Sequence, residues 1–207
     1  MRYHAFHLAA LFLLLTIQPL NAQPTYTQKN SAGADIMLSM NGFGLGTFYR
    51  HEYSDDFSGF ASFAISGSGD DNEIEYVDYY TGQTYTPGKV NRFLVLPLLI
   101  GVQERLFRED IMDNFRPFVG AAVGPTMIYV FPYNTEYFTA LKFGRARYTV
   151  GGYIGAGAYF GSQQSSLMGL NIRYYYIPFS GGIQSMSNTK KNQFGGFFIS
   201  LSFGSAW

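Results

Sequence analysis

Seven polar side chains invite a chemical reading: Arg50, Glu52, Gln103, Arg105, Arg116, Asn171 and Arg173, in a chain only 14% charged. Each falls on the same parity of a stretch in which large apolar and small residues alternate, so in extended segments all seven point to one interior. Such a set has two uses. Paired and buried, it plugs the interior with ion pairs and hydrogen bonds, since charges persist away from water only when matched. Hydrated, it lines a gated conduit for small solutes. Arginines outnumber carboxylates in it, so further partners must come from tyrosine, backbone or water. Catalysis is the third use, and the donors for it are sparse. The chain has three histidines and no cysteine. Two of those histidines lie in the first seven residues, leaving His51 between Arg50 and Glu52 with its parity turned away from the interior. A lone histidine with no nucleophile in reach makes a poor general base, and a Cys/His zinc site lacks ligands. No cofactor is expected.

A second cluster lies in "GSGDDNEIEYVDYYTGQTYTPGK", which holds Asp70, Asp71, Glu73, Glu75 and Asp78 and no basic residue before Lys89. Calcium takes clustered carboxylates, but "DDNEIE" lacks the one-three-five ligand order and the glycine of a calcium loop. A solvated acidic loop that pairs with the basic later loops (Lys142, Arg145, Lys190, Lys191) is the simpler reading, and no metal is assigned. Tyr76, Tyr79, Tyr80 and Tyr85 alternate with the acids and suit an adhesive or ligand-capturing surface.

The elements that carry these groups follow from composition. Residues 1–22 read as a secretory signal peptide, with Arg2 ahead of a nearly unbroken apolar run from Ala5 to Ile17, then Pro19, and Leu20 and Ala22 placed for cleavage after Ala22. That run is too short to span a bilayer; a retained anchor or a core helix is the alternative. Residues 23–31 read as a flexible lead-in and 32–207 as one domain, without disulfides despite export. With 14 basic and 14 acidic residues, nothing points to nucleic acid. The low charge beside 17 Tyr, 20 Phe and 24 Gly is unlike a soluble domain. No later run reaches the 18 apolar residues of a membrane helix, the longest being "FLVLPLLIGV". The other fold that satisfies every backbone group in lipid is a closed β-barrel.

Period two bears this out along the chain. Phe197, Ile199, Leu201 and Phe203 share one face against Gly196, Phe198, Ser200 and Ser202. In "LMGLNIRYYYIPF" Met168, Leu170, Ile172, Tyr174 and Tyr176 turn outward, and a reversed register would put Arg173 in lipid at a cost of roughly 2 to 4 kcal/mol. "RYTVGGYIGAGAYF" sets Val150, Ile154, Ala156, Ala158 and Phe160 against glycines that suit a crowded interior. "FRPFVGAAVGPTMIYVF" and "FLVLPLLIGVQERL" alternate likewise, Pro97 implying a bulge or local unpairing. "GFGLGTFYRHEY", "FSGFASFAIS" and a short first strand through Ile36, Leu38 and Met40, turned at Asn41-Gly42, complete eight. Connections near Ser54, Asp110 and Ser162 are short, whereas Gly67 to Val90, Pro132 to Ala146 and Ser180 to Gln193 are long. That asymmetry fits short periplasmic turns and long outer loops, and the whole reads as an all-β, transmembrane, eight-stranded antiparallel up-and-down barrel; a soluble β-sandwich would share only the period-two strands.

"NRFLVLPLLIGVQERLF", "RPFVGAAVGP", "GGYIGAGAYFG", "NIRYYYIPF" and "FGGFFISLSFG" resemble the small porin-like outer-membrane β-barrel proteins of Gram-negative bacteria, over nearly all of Phe43 to Trp207. The resemblance is to eight-stranded barrels of the OmpA, OmpX and OmpW kind, many without assigned activity. It implies residence in the outer membrane among its lipids, and recognition of the closing strand by the outer-membrane assembly machinery, although that signal usually ends in Phe and this chain ends in Trp207. An interior of eight strands is just wide enough for side chains to fill. The function expected is therefore structural, or surface binding through the outer loops, without catalysis. The alternatives are a narrow conduit for small or apolar solutes and, more remotely, a lipid hydrolase or acyltransferase, which would need a histidine beside a serine at the lipid surface.

Overall fold

The computed structural model describes residues 30–40, 42–70, 72–111, 115–160 and 167–207. The signal peptide, Asn41, Asp71 and the turn near Ser162 lie outside the described residues. Eight long strands close into an antiparallel barrel: β1 (Asn30–Ser39), β2 (Gly42–Glu52), β3 (Phe57–Ser68), β6 (Asn91–Arg105), β7 (Phe115–Pro132), β8 (Arg145–Phe160), β9 (Leu167–Tyr176) and β12 (Gly196–Ala206). Each pairs with its chain neighbour among the eight, and β12 closes onto β1. The outer connections carry β4 (Tyr76–Val77) paired with β5 (Thr84–Tyr85), helix α1 (Tyr137–Leu141), and a hairpin of β10 (Pro178–Met186) and β11 (Thr189–Gln193). Among the described residues no helix is long and apolar enough to cross a membrane.

Period two has the expected consequence. Leu45, Leu98, Ile100, Val123, Ile154, Leu170, Ile172, Ile199 and Leu201 are exposed on the outer surface, while Met37, Leu99, Ile128 and Phe198 are buried within. Aromatic residues mark both edges of the outer band: Phe57, Phe115 and Phe160 toward one rim, Phe43, Tyr148, Tyr176 and Phe197 toward the other. Apolar bands flanked by aromatic girdles are how strands meet lipid and its two interfaces.

The registers define the barrel's shape. Hydrogen-bonded neighbours run from Asn30 through His51, Gly59, Val102, Ala121, Ile154 and Tyr174 to Phe197. The pairing of Leu38 with Ile199, extended by two residues, sets Phe197 level with Met40, ten residues along β1 from the start. With eight strands and that stagger, a rise of about 3.3 Å and a spacing of about 4.8 Å give a tilt of roughly 40° and a Cα cylinder about 8 Å in radius. A cylinder of that radius is just wide enough for side chains to fill. The seam closes on Gly33 opposite Gly204, and a Cβ on Gly33 would meet the Phe203 carbonyl oxygen at 2.1 Å, so only glycine permits this approach.

Two expectations change, and a third, at Pro97, is narrowed to one of its alternatives. β1 is not a short strand around Ile36 but starts at Asn30, inside the expected lead-in, because Asn30 and Trp207 exchange backbone hydrogen bonds of 2.8 Å and carry the seam ladder to the last residue. The strand holding Arg173 stops at Tyr176, and the expected open loop from Ser180 to Gln193 is instead part of the β10–β11 hairpin. Around Pro97 the β3–β6 ladder lapses between Phe63↔Leu98 and Ser66↔Val95 but resumes in the same register. The missing proline N–H therefore causes local unpairing without a bulge.

Candidate functional site

The seven interior candidates all face the lumen, at two depths. Midway along it, Arg173 Nη1 donates to Asp35 Oδ2 at 2.7 Å, Ser202 Oγ donates to Asp35 Oδ1, and Asn171 Nδ2 donates to Ser202 Oγ at 2.7 Å. The guanidinium also lies 5.2 Å from the Tyr153 ring centre. β8 makes room for this chain of bonds with small residues: a Cβ on Gly157 would come within 2.5 Å of Asn171 Oδ1. Asp35 was absent from the sequence candidates although its parity, opposite to Ile36 and Leu38, placed it inside; a single carboxylate in a short strand drew no attention beside the arginines.

Nearer the periplasmic end, Arg50 donates through Nε to Ser31 Oγ at 3.0 Å and stacks 4.3 Å from the Tyr159 ring, whose hydroxyl donates to Gln103 Oε1 at 3.3 Å. Glu52, Arg105 and Arg116 join Arg50 and Gln103 around a vestibule of about 230 Å³, and Arg108 there pairs with Asp55 and Asp56. His51 points outward as expected, with Nδ1 at 2.7 Å from Asn30 Oδ1 and its ring edge-on to Tyr53.

Toward the outer mouth the lumen turns apolar. Met37, Phe93, Val95, Leu99, Ile128, Tyr153, Tyr175, Ile177, Phe194 and Phe198 form one buried cluster, with Phe93 edge-on to Phe194 at 5.1 Å between ring centres. Phe194 and Ile177 come from the ends of the β10–β11 hairpin, so the hairpin supplies part of its own stopper.

The acidic loop divides. Asp70 is buried and accepts from the Ser185 hydroxyl and from the Asn72 backbone and side-chain amides; Glu73 pairs with Lys89 and accepts from the Asp70 backbone N–H; Asp78 caps its own turn through the Tyr80 and Thr81 N–H groups. Lys191 Nζ donates to the Gly69 carbonyl, and across the two connections the Val90 N–H donates to the Ser185 carbonyl and the Ser187 N–H to the Gly88 carbonyl. Glu75, Tyr76, Tyr79 and Tyr80 remain exposed, the last two at 93% and 94%, with Tyr76 against Tyr85 at 6.1 Å. Among the described residues no group of three or more His, Cys, Asp or Glu is placed to hold a metal ion.

Burial pushes the Asp70 carboxyl up, but the Ser185 hydroxyl, the Asn72 amides and the Lys191 charge outweigh it and hold the group below its ordinary value of 3.8. A depressed carboxylate stabilises above its unfolded pKa and loses that contribution as pH falls through the folded one. Hydrogen-exchange protection of the Val90 and Ser187 amides, corrected for intrinsic rates, should therefore hold from pH 7 to about 4 and drop below it, with Asp70→Asn removing the pH step. Protection that persists in the parent at roughly pH 2 would show that Asp70 does not hold the loops together.

The closed antiparallel barrel and its apolar outer band define the class: the fold is that of the small porin-like outer-membrane barrels with eight strands. Among solved structures the chain is similar to Neisserial surface protein A, at 14% identity over 86% of this chain and 93% of that one, with a TM-score of 0.50. It is also similar to OprG of Pseudomonas aeruginosa (10% identity, 90% and 99% covered, TM-score 0.49) and to Ail, the attachment invasion locus protein of Yersinia pestis (13%, 87% and 97%, 0.47). At such identities the likeness concerns the fold alone. No protein-family model and no curated protein matches the chain.

Proposed function

We propose that the protein is a non-enzymatic outer-membrane barrel, exported by its signal peptide and inserted by the assembly machinery through its closing strand, that acts at the cell surface by binding through its outer loops. The observation that supports this reading is the contrast at the outer mouth. The lumen there is packed with buried apolar side chains, while the loop above presents Tyr76, Tyr79, Tyr80 and Tyr85 to solvent. A packed lumen passes nothing, and tyrosines held out on a braced loop offer large contact area at low entropic cost.

In planar bilayers the parent protein should be electrically silent, and Tyr79→Ser with Tyr80→Ser should leave heat-modifiable gel migration unchanged while lowering adhesion of whole cells to host-matrix or abiotic surfaces. Discrete channels in the parent would replace this reading with the conduit. The vestibule gives that second reading its support, since Arg50, Gln103, Phe118 and Tyr159 line both it and a smaller cavity deeper in the lumen.

A further inference from the structure

On one side of the outer mouth β7 and β8 rise beyond the lumen, and the β10–β11 hairpin stands opposite. Between them runs a groove of about 580 Å³, within the range of small-molecule sites. Its walls are Val130, Pro132, Phe143, Phe179 and Ile183, and Arg145 and Arg147 stand along one edge. Two residues apart on one strand, these arginines share a face with their Cα atoms roughly 7 Å apart. The groove is braced from below: Val130, Phe179 and Ile183 pack on the apolar cluster of the lumen, and Thr149 Oγ1 donates to the Pro178 carbonyl at 2.6 Å, tying the hairpin base to β8.

Of the other cations of this mouth, Lys142 and Lys190 are likewise exposed and without a side-chain bond among the described residues but do not line the groove, and the remaining three are committed. Lys89 pairs with Glu73, Lys191 bonds the Gly69 carbonyl, and Arg92 donates to the Thr135 carbonyl while lying over Tyr133 and Tyr137. Among the described residues the side chains of Arg145 and Arg147 make no hydrogen bond or ion pair, and both residues are exposed. Glu136, the acid of the neighbouring connection, is occupied by the Phe138 and Thr139 N–H groups at the start of α1. Two uncommitted cations thus edge a trough of apolar side chains.

We propose that this groove binds a single-chain anionic amphiphile of the long-chain fatty-acid class, its carboxylate on Arg145 and Arg147 and its chain along Phe143, Phe179 and Ile183. Guanidinium groups pair carboxylates through two parallel hydrogen bonds, and the apolar walls gain by covering a hydrocarbon chain. A small inorganic anion uses the edge and leaves the walls wet. An uncharged alcohol does the reverse. The site is separate from the tyrosine-bearing loop tip and does not depend on recognition there.

The test uses the full mature protein in nanodiscs of zwitterionic lipid, with a fluorescent fatty acid displaced by laurate, dodecanol or inorganic phosphate. Laurate should displace it saturably, and Arg145→Gln with Arg147→Gln should weaken laurate at least about tenfold, as loss of a charge-assisted pair implies. Dodecanol should compete at least about tenfold less well than laurate on the parent, for the same missing charge. Ile183→Asn should weaken both, and Tyr79→Ser with Tyr80→Ser should weaken neither, which separates this site from the loop tip. Heat-modifiable migration verifies that each variant is folded, and the single Arg147→Gln variant serves if the double one is not. Equal laurate affinity in parent and arginine variants overturns the proposal. So does phosphate competing as well as laurate, which would make the edge a simple anion site, or displacement seen only with anionic lipid in the disc, which would assign the groove to a lipid headgroup.

Discussion

Asp35→Leu is expected to lower the barrel's stability by about 3 to 5 kcal/mol, because it leaves the Arg173 guanidinium in the middle of the lumen without its carboxylate. The side chains of Arg173 and Asp35 are only 9% and 3% exposed, so the charge left behind stays out of bulk water. Arg173→Leu should cost a comparable amount from the other side, although Ser202 continues to donate to the stranded Asp35. Replacing both at once removes two buried charges together and should recover most of the loss, since an ion pair is often worth little more than the apolar residues that can substitute for it. Urea unfolding in lipid vesicles, followed by the fluorescence of Trp207, supplies the three free energies of a double-mutant cycle. If each single variant unfolds at the parent's midpoint, the pair is hydrated and the polar plug is no plug.

Phe93→Ala with Phe194→Ala is expected to have the second large effect, on stability and on permeability together. Both rings are almost fully buried, at 3% and 2% exposure, and they pack edge to face across the lumen from β6 and from the segment just before β12. Each truncation alone should cost about 3 to 5 kcal/mol through lost burial and the cavity left behind. Their sum should exceed the cost of the double variant, because the two rings contact one another and the second truncation enlarges an existing void. The same void lies in the tier that separates the periplasmic vestibule from the outer mouth. The double variant should therefore show discrete small-conductance openings in planar bilayers where the parent is silent. A double variant as silent as the parent would move the seal elsewhere, to the hairpin or to the Asp35–Arg173 tier.

Much of this is legible in the sequence alone. The inward set from Arg50 to Arg173, the outward leucines and isoleucines, the direction of His51 and the unpairing at Pro97 all follow from neighbours one or two positions away. A strand alternates its faces strictly, so one slip in register would put every arginine into lipid, and the composition admits no such solution. The first strand was underestimated because Gly33, Ala32 and Ser31 carry no apolar signal; their place in the barrel comes from pairing with β12 and β2. The hairpin from Pro178 to Gln193 is hidden in the sequence because its glycines and polar residues show neither clear period nor burial of their own. It forms by pairing with itself while its two ends insert Ile177 and Phe194 into the lumen.

By itself, then, the amino-acid order determined which face each strand residue takes, because that depends only on the two-residue repeat of an extended chain. Which interior residues meet was decided only by closure. Asp35 and Arg173 lie 138 positions apart, and they touch because the registers around the ring return β12 to β1 with a stagger of ten residues. A stagger accumulated over eight pairings cannot be read from any one of them. The same holds at the outer mouth, where Asp70 reaches Ser185 and the β10–β11 hairpin comes to face Arg145 and Arg147 only once the ring has brought β3, β8 and β9 to their places around one opening.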